Sequence, residues 1–224
     1  MQLFSCYPVH VVERPDQVPS FVKVLYHCMP KTHSDFLKLR ILADYLQAMV
    51  PFESAVPGIT VIKRMDRRRY DDHDQLVSML GEFGMPVREA VMETLSFHQQ
   101  IHLMRKTRVL VGPHGVGETN MMFMPQGSQI LELCPMGFSG RVFRVLAKTF
   151  GHYWVELESE VPGVIGRKPT KEFLAYVDQN GWPLGKDVAK LASTMEFKRV
   201  LRDVTSFSVD PAIVVERLRM MLKL

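Results

Sequence analysis

Cysteine is scarce in this sequence: Cys6, Cys28 and Cys134 are its three, widely spaced and without a C-x-x-C pair. That spacing argues against a structural zinc site and predicts buried free thiols. A Cys6–Cys28 bridge stays open should the compartment be oxidising. No run of eighteen apolar residues occurs, so no membrane span is expected in this chain. The start, MQLFSCYPVHVVERPD, lacks a charged leader followed by an apolar block, and no signal peptide is expected. Two readings follow: an intracellular, cytoplasmic protein, or the Golgi or ER luminal part of a longer chain. Excess charge is lacking too. Twenty-eight basic against 24 acidic residues leave +4, which suits a local site for small anions better than a nucleic-acid face. No D-x-D pair follows a strand and no His/Cys cluster is visible, so no metal or other cofactor is expected.

What is present is enough apolar matter for a core. The 224 residues are 46% hydrophobic, long enough for one large domain or two small ones. HSDFLKLRILADYLQAMVP reads as an amphipathic helix ended by Pro51. From Ile59 onward strand-like and helix-like segments alternate. The strand ITVIKR precedes the helical DHDQLVSMLGEFG, and PVREAVMET precedes SFHQQIHLMRKT with its serine cap. RVLVG, QILELCP and HYWVEL are further strands, separated by the short helix GETNMMF and the helix GRVFRVLAKTFG. The strands are apolar rather than alternating. That pattern predicts an α/β fold, a Rossmann-like doubly wound parallel sheet with helices on both faces. Glu158 to Gly185 reads as a surface loop, and DPAIVVERLRMMLKL as a terminal helix packing back across the sheet.

In such folds ligands sit beyond the carboxyl ends of the strands, which draws attention to the loop of VLVGPHGVGETNMMFMP. Gly115 and Gly117 permit positive φ and close backbone approach, and the following helix aims free N–H groups at the same spot. Two nucleotide fingerprints fail here. GPHGVGET has Glu118 where a P-loop needs lysine, and GVGETN has Asn120 in place of the third glycine of a dinucleotide site. A structural turn around a core histidine is the plain alternative.

The segment HGVGETNMMFMPQGSQILELCP resembles the HGAGLTN…F…G…E-hydrophobic-P signature of family-61 glycosyltransferases. SFHQQIHLMRKTRVLVG and KRMDRRRYDDHDQL are similar to two upstream blocks of that family, and the likeness runs from about His33 onward. The family includes plant β-1,2-xylosyltransferases, xylan-decorating enzymes and O-linked N-acetylglucosamine transferases of the secretory pathway. The resemblance implies the nucleotide-sugar-binding half of a GT-B enzyme, spanning residues 51–224. Residues 1–50 would then be a reduced, helical remnant of the acceptor-side half. It also implies an inverting, metal-independent transfer of xylose, N-acetylglucosamine or arabinose from a UDP-sugar to a glycan or glycoprotein hydroxyl.

The residues bear on that chemistry directly. Arg64, Arg67 and Arg68 leave ITVIKR at its carboxyl end, where guanidinium forks fit diphosphate oxygens. A solvated basic loop or a nucleic-acid patch is the alternative, although Asp66, Asp71, Asp72 and Asp74 interrupt the positive field. His114 either donates to a phosphate or the departing sugar, or is a core histidine satisfied by a carbonyl. Val116 lies in the same loop. Thr119 and Asn120 cap the short helix or touch ligand. Glu132 suits ribose hydroxyls at an exposed strand end, or pairs with an arginine such as Arg141. Asp35, then His33, are candidates for the general base, with helix capping an equal explanation for Asp35. DDHD at Asp71–Asp74 suits capping better than metal binding. Glu82, Glu93, Met121, Met122 and Met124 read as surface or core. Glu118 departs from the usual leucine of the family: it either turns away from the ligand or weakens nucleotide affinity. That departure and the short acceptor part keep a non-catalytic nucleotide-sugar-binding or partner module open.

Overall fold

The computed structural model describes residues 33–51, 56–138, 141–165 and 204–223, with 175, 177–179 and 181. Cys6 and Cys28 lie outside the described residues. Helix α1 (His33–Ala48) leads to strand β1 (Gly58–Ile62), a short β2 (Arg69–Tyr70), helix α2 (His73–Leu80) and β3 (Val87–Ala90). Helix α3 (Phe97–Arg105), β4 (Thr107–Pro113), a 3-10 helix (Val116–Phe123) and β5 (Gln129–Cys134) follow. Helix α4 (Arg141–Thr149), β6 (Tyr153–Glu158), β7 (Val164–Ile165), β8 (Val204–Phe207) and helix α5 (Pro211–Leu222) complete the described chain.

Five strands form one sheet in the order β3-β1-β4-β5-β6, and every pairing is parallel. This is the doubly wound arrangement the sequence predicts. The chain steps outward from β1 to β3, then returns to the other side of β1 to build β4, β5 and β6. With crossovers of constant hand, that reversal puts α2 on one face and α3 and α4 on the other. Two apolar cores result. One joins Leu39, Leu42 and Ala43 of α1 to Ile101, Met104, Met121, Phe123, Phe143 and Leu146. The other joins Leu76 and Leu80 of α2 to Val214, Val215 and Leu218 of α5. Side chains two apart share a strand face, so Leu110 and Ile130 serve the first core while Val109, Val111, Leu131 and Leu133 serve the second.

Local signals explain the ends. Ser96 caps α3 by a reciprocal box: its hydroxyl accepts from Gln99 N at 3.3 Å, and Gln99 Oε1 accepts from Ser96 N at 2.8 Å. Asp210 accepts from Ala212 N at 2.8 Å, with Pro211 opening α5. Three expectations need correction. PVREAVMET is a strand only to Ala90, because Met92–Thr94 winds into a 3-10 turn. Asp72 makes no side-chain cap for α2; its carboxylate instead accepts from Ser208 Oγ. The stretch from Glu158 to Gly185 is not all loop, since β7 pairs antiparallel with β8.

That second sheet, β2-β8-β7, has no counterpart in the sequence reading. It fixes the basic segment after β1. Arg68 N donates to Val204 O at 2.8 Å, and Asp71 N to Phe207 O at 3.0 Å. Tyr70 is buried, and its hydroxyl donates to Val209 O at 2.7 Å. A segment that reads as a solvated basic loop is thus stapled at its far end.

Candidate functional site

The strand order reverses between β1 and β4, and the crevice beyond their carboxyl ends is where such sheets bind ligands. Arg64 comes off β1 and His114 off β4, so the fold brings both to this switch point. The Arg64 guanidinium lies along the loop backbone: Nη1 donates to His114 O at 3.4 Å, and Nη2 to Asp66 at 3.2 Å. Its side chain is 12% exposed. Arg68 sits at φ 57°, in the left-handed region, with its guanidinium 5.2 Å from the Phe138 ring centroid. Arg67 is exposed. The neighbouring acids are engaged locally: Asp74 with Lys63 at 2.8 Å and Asp71 with Arg69 at 3.3 Å.

The glycines act differently from expectation. Neither Gly115 nor Gly117 lies in the left-handed region; Gly115 is fully extended at φ 174°. A Cβ at Gly115 would stand 1.8 Å from Arg64 Nη1, so the missing side chain makes room for that guanidinium. A Cβ at Gly117 would meet Met92 Cγ at 3.2 Å and Ile62 Cδ1 at 3.6 Å. Gly117 therefore packs on the core and is not a free loop position. Asn120 is buried and donates to Gly117 O at 3.1 Å, which stabilises its own turn. Thr119 is half-buried, and Val116 opens the 3-10 helix. Met121, Met122 and Met124 are core, whereas Glu82 and Glu93 are exposed, as read.

Behind the loop lies a buried polar cluster. Strand alternation puts Glu132 and Cys134 on one face of β5, and Gly112 and Glu156 flank Glu132 in register. Glu132 is fully buried, which corrects its reading as a ribose contact at an exposed strand end. One carboxylate oxygen bonds His114 Nδ1, and the other accepts from Trp154 Nε1 at 2.9 Å. Those bonds answer the cost of burying a carboxylate, which is several kcal/mol when unpaired. His114 is accordingly held by a carboxylate rather than a backbone carbonyl. Its ring packs at 4.5 Å from Phe138 and 4.9 Å from Phe143. Among the described residues its Nε2 makes no hydrogen bond.

Glu118 resolves one open question: it turns inward and is 1% exposed. Neither carboxyl oxygen has a hydrogen-bond partner among the described residues. Burial first, then the adjacent Glu132 carboxylate, push its pKa well above the usual range. Burial likewise raises the Cys134 thiol, with Glu132, Glu156 and Glu118 adding to the effect. His33 and Asp35 lie in the first turn of α1, and their side chains fall outside the described residues.

Among the described residues two groups have donor atoms close enough for one metal ion. His114, Glu132 and Cys134 form one, and His73, Asp74 and Glu89 the other, each with its donor atoms within 4.8 Å. The second already holds a cation, because Lys63 Nζ lies 2.8 Å from Asp74 and 3.9 Å from Glu89. Sequence reasoning missed Trp154, Cys134 and Phe138. Only the i, i+2 spacing of Glu132 and Cys134 was there to be read.

A parallel sheet of five strands with flanking helices and a switch point between β1 and β4 defines a Rossmann-like α/β fold. The family model for glycosyltransferase 61 matches residues 10–131, and the chain belongs to that family. Two similar proteins are alpha-1,3-arabinosyltransferases of Oryza sativa subsp. japonica. XAT2 is 30% identical over 97 residues and XAT3 28% over 98, each match covering 42% of this chain and 16% of the relative. The beta-1,2-xylosyltransferase XYXT1 of the same plant is 27% identical over 85 residues, 38% of this chain and 18% of its own length. The chain therefore matches less than a fifth of these relatives' length. Among the described residues no helix is long and apolar enough to cross a membrane.

Proposed function

We propose that the chain is the donor-binding part of an inverting glycosyltransferase that takes a pentose from UDP-xylose or UDP-arabinose to a glycan hydroxyl. UDP-N-acetylglucosamine and a glycoprotein hydroxyl are the wider alternatives within this reading. The observation that carries it is the placement of the Arg64 guanidinium against the His114–Gly115 backbone at the switch point. The pentose preference rests on the arabinosyl- and xylosyltransferase names of the relatives.

In this reading the acceptor oxygen attacks the anomeric carbon on the face opposite the diphosphate. The bond to UDP breaks, and its electron pair leaves with the phosphate oxygen. Arg64, with Arg67 and Arg68 nearby, and the N–H groups opening the 3-10 helix at Val116 stabilise the charge that develops there. No metal ion takes part at the diphosphate. With Nδ1 held by Glu132, His114 keeps Nε2 for a hydrogen bond to the leaving group. The acceptor proton goes to a general base, for which Asp35 and then His33 are the candidates.

Calorimetric titration with UDP, UDP-xylose, UDP-arabinose and UDP-N-acetylglucosamine tests the reading, followed by assays of donor hydrolysis and transfer to xylan oligosaccharides. Tight binding with turnover is the expected result. Binding without any turnover favours the non-catalytic nucleotide-sugar module, and no nucleotide binding overturns both.

A further inference from the structure

The cluster behind the loop has an unusual balance. Three acidic groups, Glu118, Glu132 and Cys134, share a buried space with one imidazole, His114. Among the described residues no lysine or arginine ion-pairs with either glutamate; the contact of Glu132 is with His114. Glu118 contributes two oxygens that are buried and unpartnered. The comparable group at His73 is different, since its carboxylates Asp74 and Glu89 are exposed and Lys63 lies against both.

We propose that His114, Glu132 and Cys134 bind a zinc ion. The donor set is imidazole, carboxylate and thiolate, which suits a borderline-soft tetrahedral ion rather than magnesium or calcium. Donor atoms within 4.8 Å of one another need only small rotations to reach zinc at bond lengths of about 2.0–2.3 Å. The outer contacts fit as well. Trp154 Nε1 hydrogen-bonds Glu132, the kind of bond that orients a ligating carboxylate, while Phe138 and Phe143 shield the imidazole. On binding, Cys134 gives up its thiol proton to solvent, neutral His114 ligates through Nδ1 with its proton on Nε2, and Glu132 binds ionised. The ion anchors His114 from behind and stands apart from the diphosphate chemistry. Cysteine spacing does not reveal such a site, because its ligands come from the ends of two strands.

The test uses the full chain purified from zinc-supplemented medium and dialysed, with metal measured by mass spectrometry. One zinc per chain is expected. Replacement by Co2+ should give visible bands of a tetrahedral ion and a near-ultraviolet thiolate-to-cobalt band. Cys134→Ser should lose the thiolate band. Trp154→Phe, which removes only the bond to Glu132, should lower zinc affinity by about tenfold or more in chelator competition. A wild-type chain that retains no zinc, or a cobalt adduct without the thiolate band, overturns the proposal whether or not any variant folds. UDP binding on the same samples separates this site from the donor reading: zinc without UDP binding keeps the site and sinks the donor, and the reverse holds equally.

Discussion

A methyl group on Gly115 would stand 1.8 Å from Nη1 of Arg64, so the loop glycine and the arginine after β1 occupy one another's space. Because the clash is with the end of a flexible side chain, Gly115→Ala should leave the fold intact and displace the guanidinium. UDP binding should weaken by about 1–3 kcal/mol, the range for hydrogen bonds to a charged group. Arg64→Ala should cost about the same. In a double-mutant cycle the second substitution should add almost nothing, since both remove one interaction. Fully additive losses by calorimetry would show that Gly115 and Arg64 act separately.

Gly117 is expected to answer to stability instead of binding. Its Cβ position lies 3.2 Å from Met92 Cγ, so Gly117→Val overpacks the core and should destabilise by about 1–3 kcal/mol. Gly117→Ala should cost less than valine. Urea unfolding of the two variants measures the difference, and a valine variant as stable as wild type would place this residue in open space.

Divalent metal should not assist donor binding. Arg64 and the 3-10 helix N–H groups supply the positive potential that Mn2+ would otherwise bring. Titrating UDP with and without Mn2+, after hard cations are removed, should give the same affinity. Tightening by about tenfold, or 1.4 kcal/mol, would assign the diphosphate to a metal-assisted site.

His152 should make the fold acid-sensitive. It is buried, with Nε2 donating to Met121 O at 2.9 Å and Nδ1 without a partner among the described residues. Burial lowers its pKa from the ordinary 6.5, against an upward pull from the Met121 carbonyl, and Arg108 and Arg40 add to the lowering. The unfolded chain then binds more protons just below 6.5, so stability is present above that value and is lost as pH falls toward the folded pKa. His152→Gln keeps a donor for Met121 and cannot titrate. Its urea midpoint should fall less steeply between neutral and mildly acidic pH than that of wild type.

Much of the frame was legible in the sequence because it depends on local order. Apolar strands alternating with capped helices dictate a parallel sheet, and the ends at Ser96 and Asp210 are set by residues a few positions away. The position of Arg64 and His114 at strand ends could be read for the same reason. Tertiary structure alone decided what those residues touch. The far end of the basic segment is fixed by Val204–Phe207, more than 130 residues on, through backbone bonds that carry no side-chain signature. Gly115 faces an arginine and Gly117 a methionine, although both look alike as loop glycines. Glu132 reads as a candidate for ligand contact, yet it is buried beside His114, Trp154 and Cys134. A strand's period of two fixes which side chains share a face, but the residues opposite them are chosen by packing between distant elements.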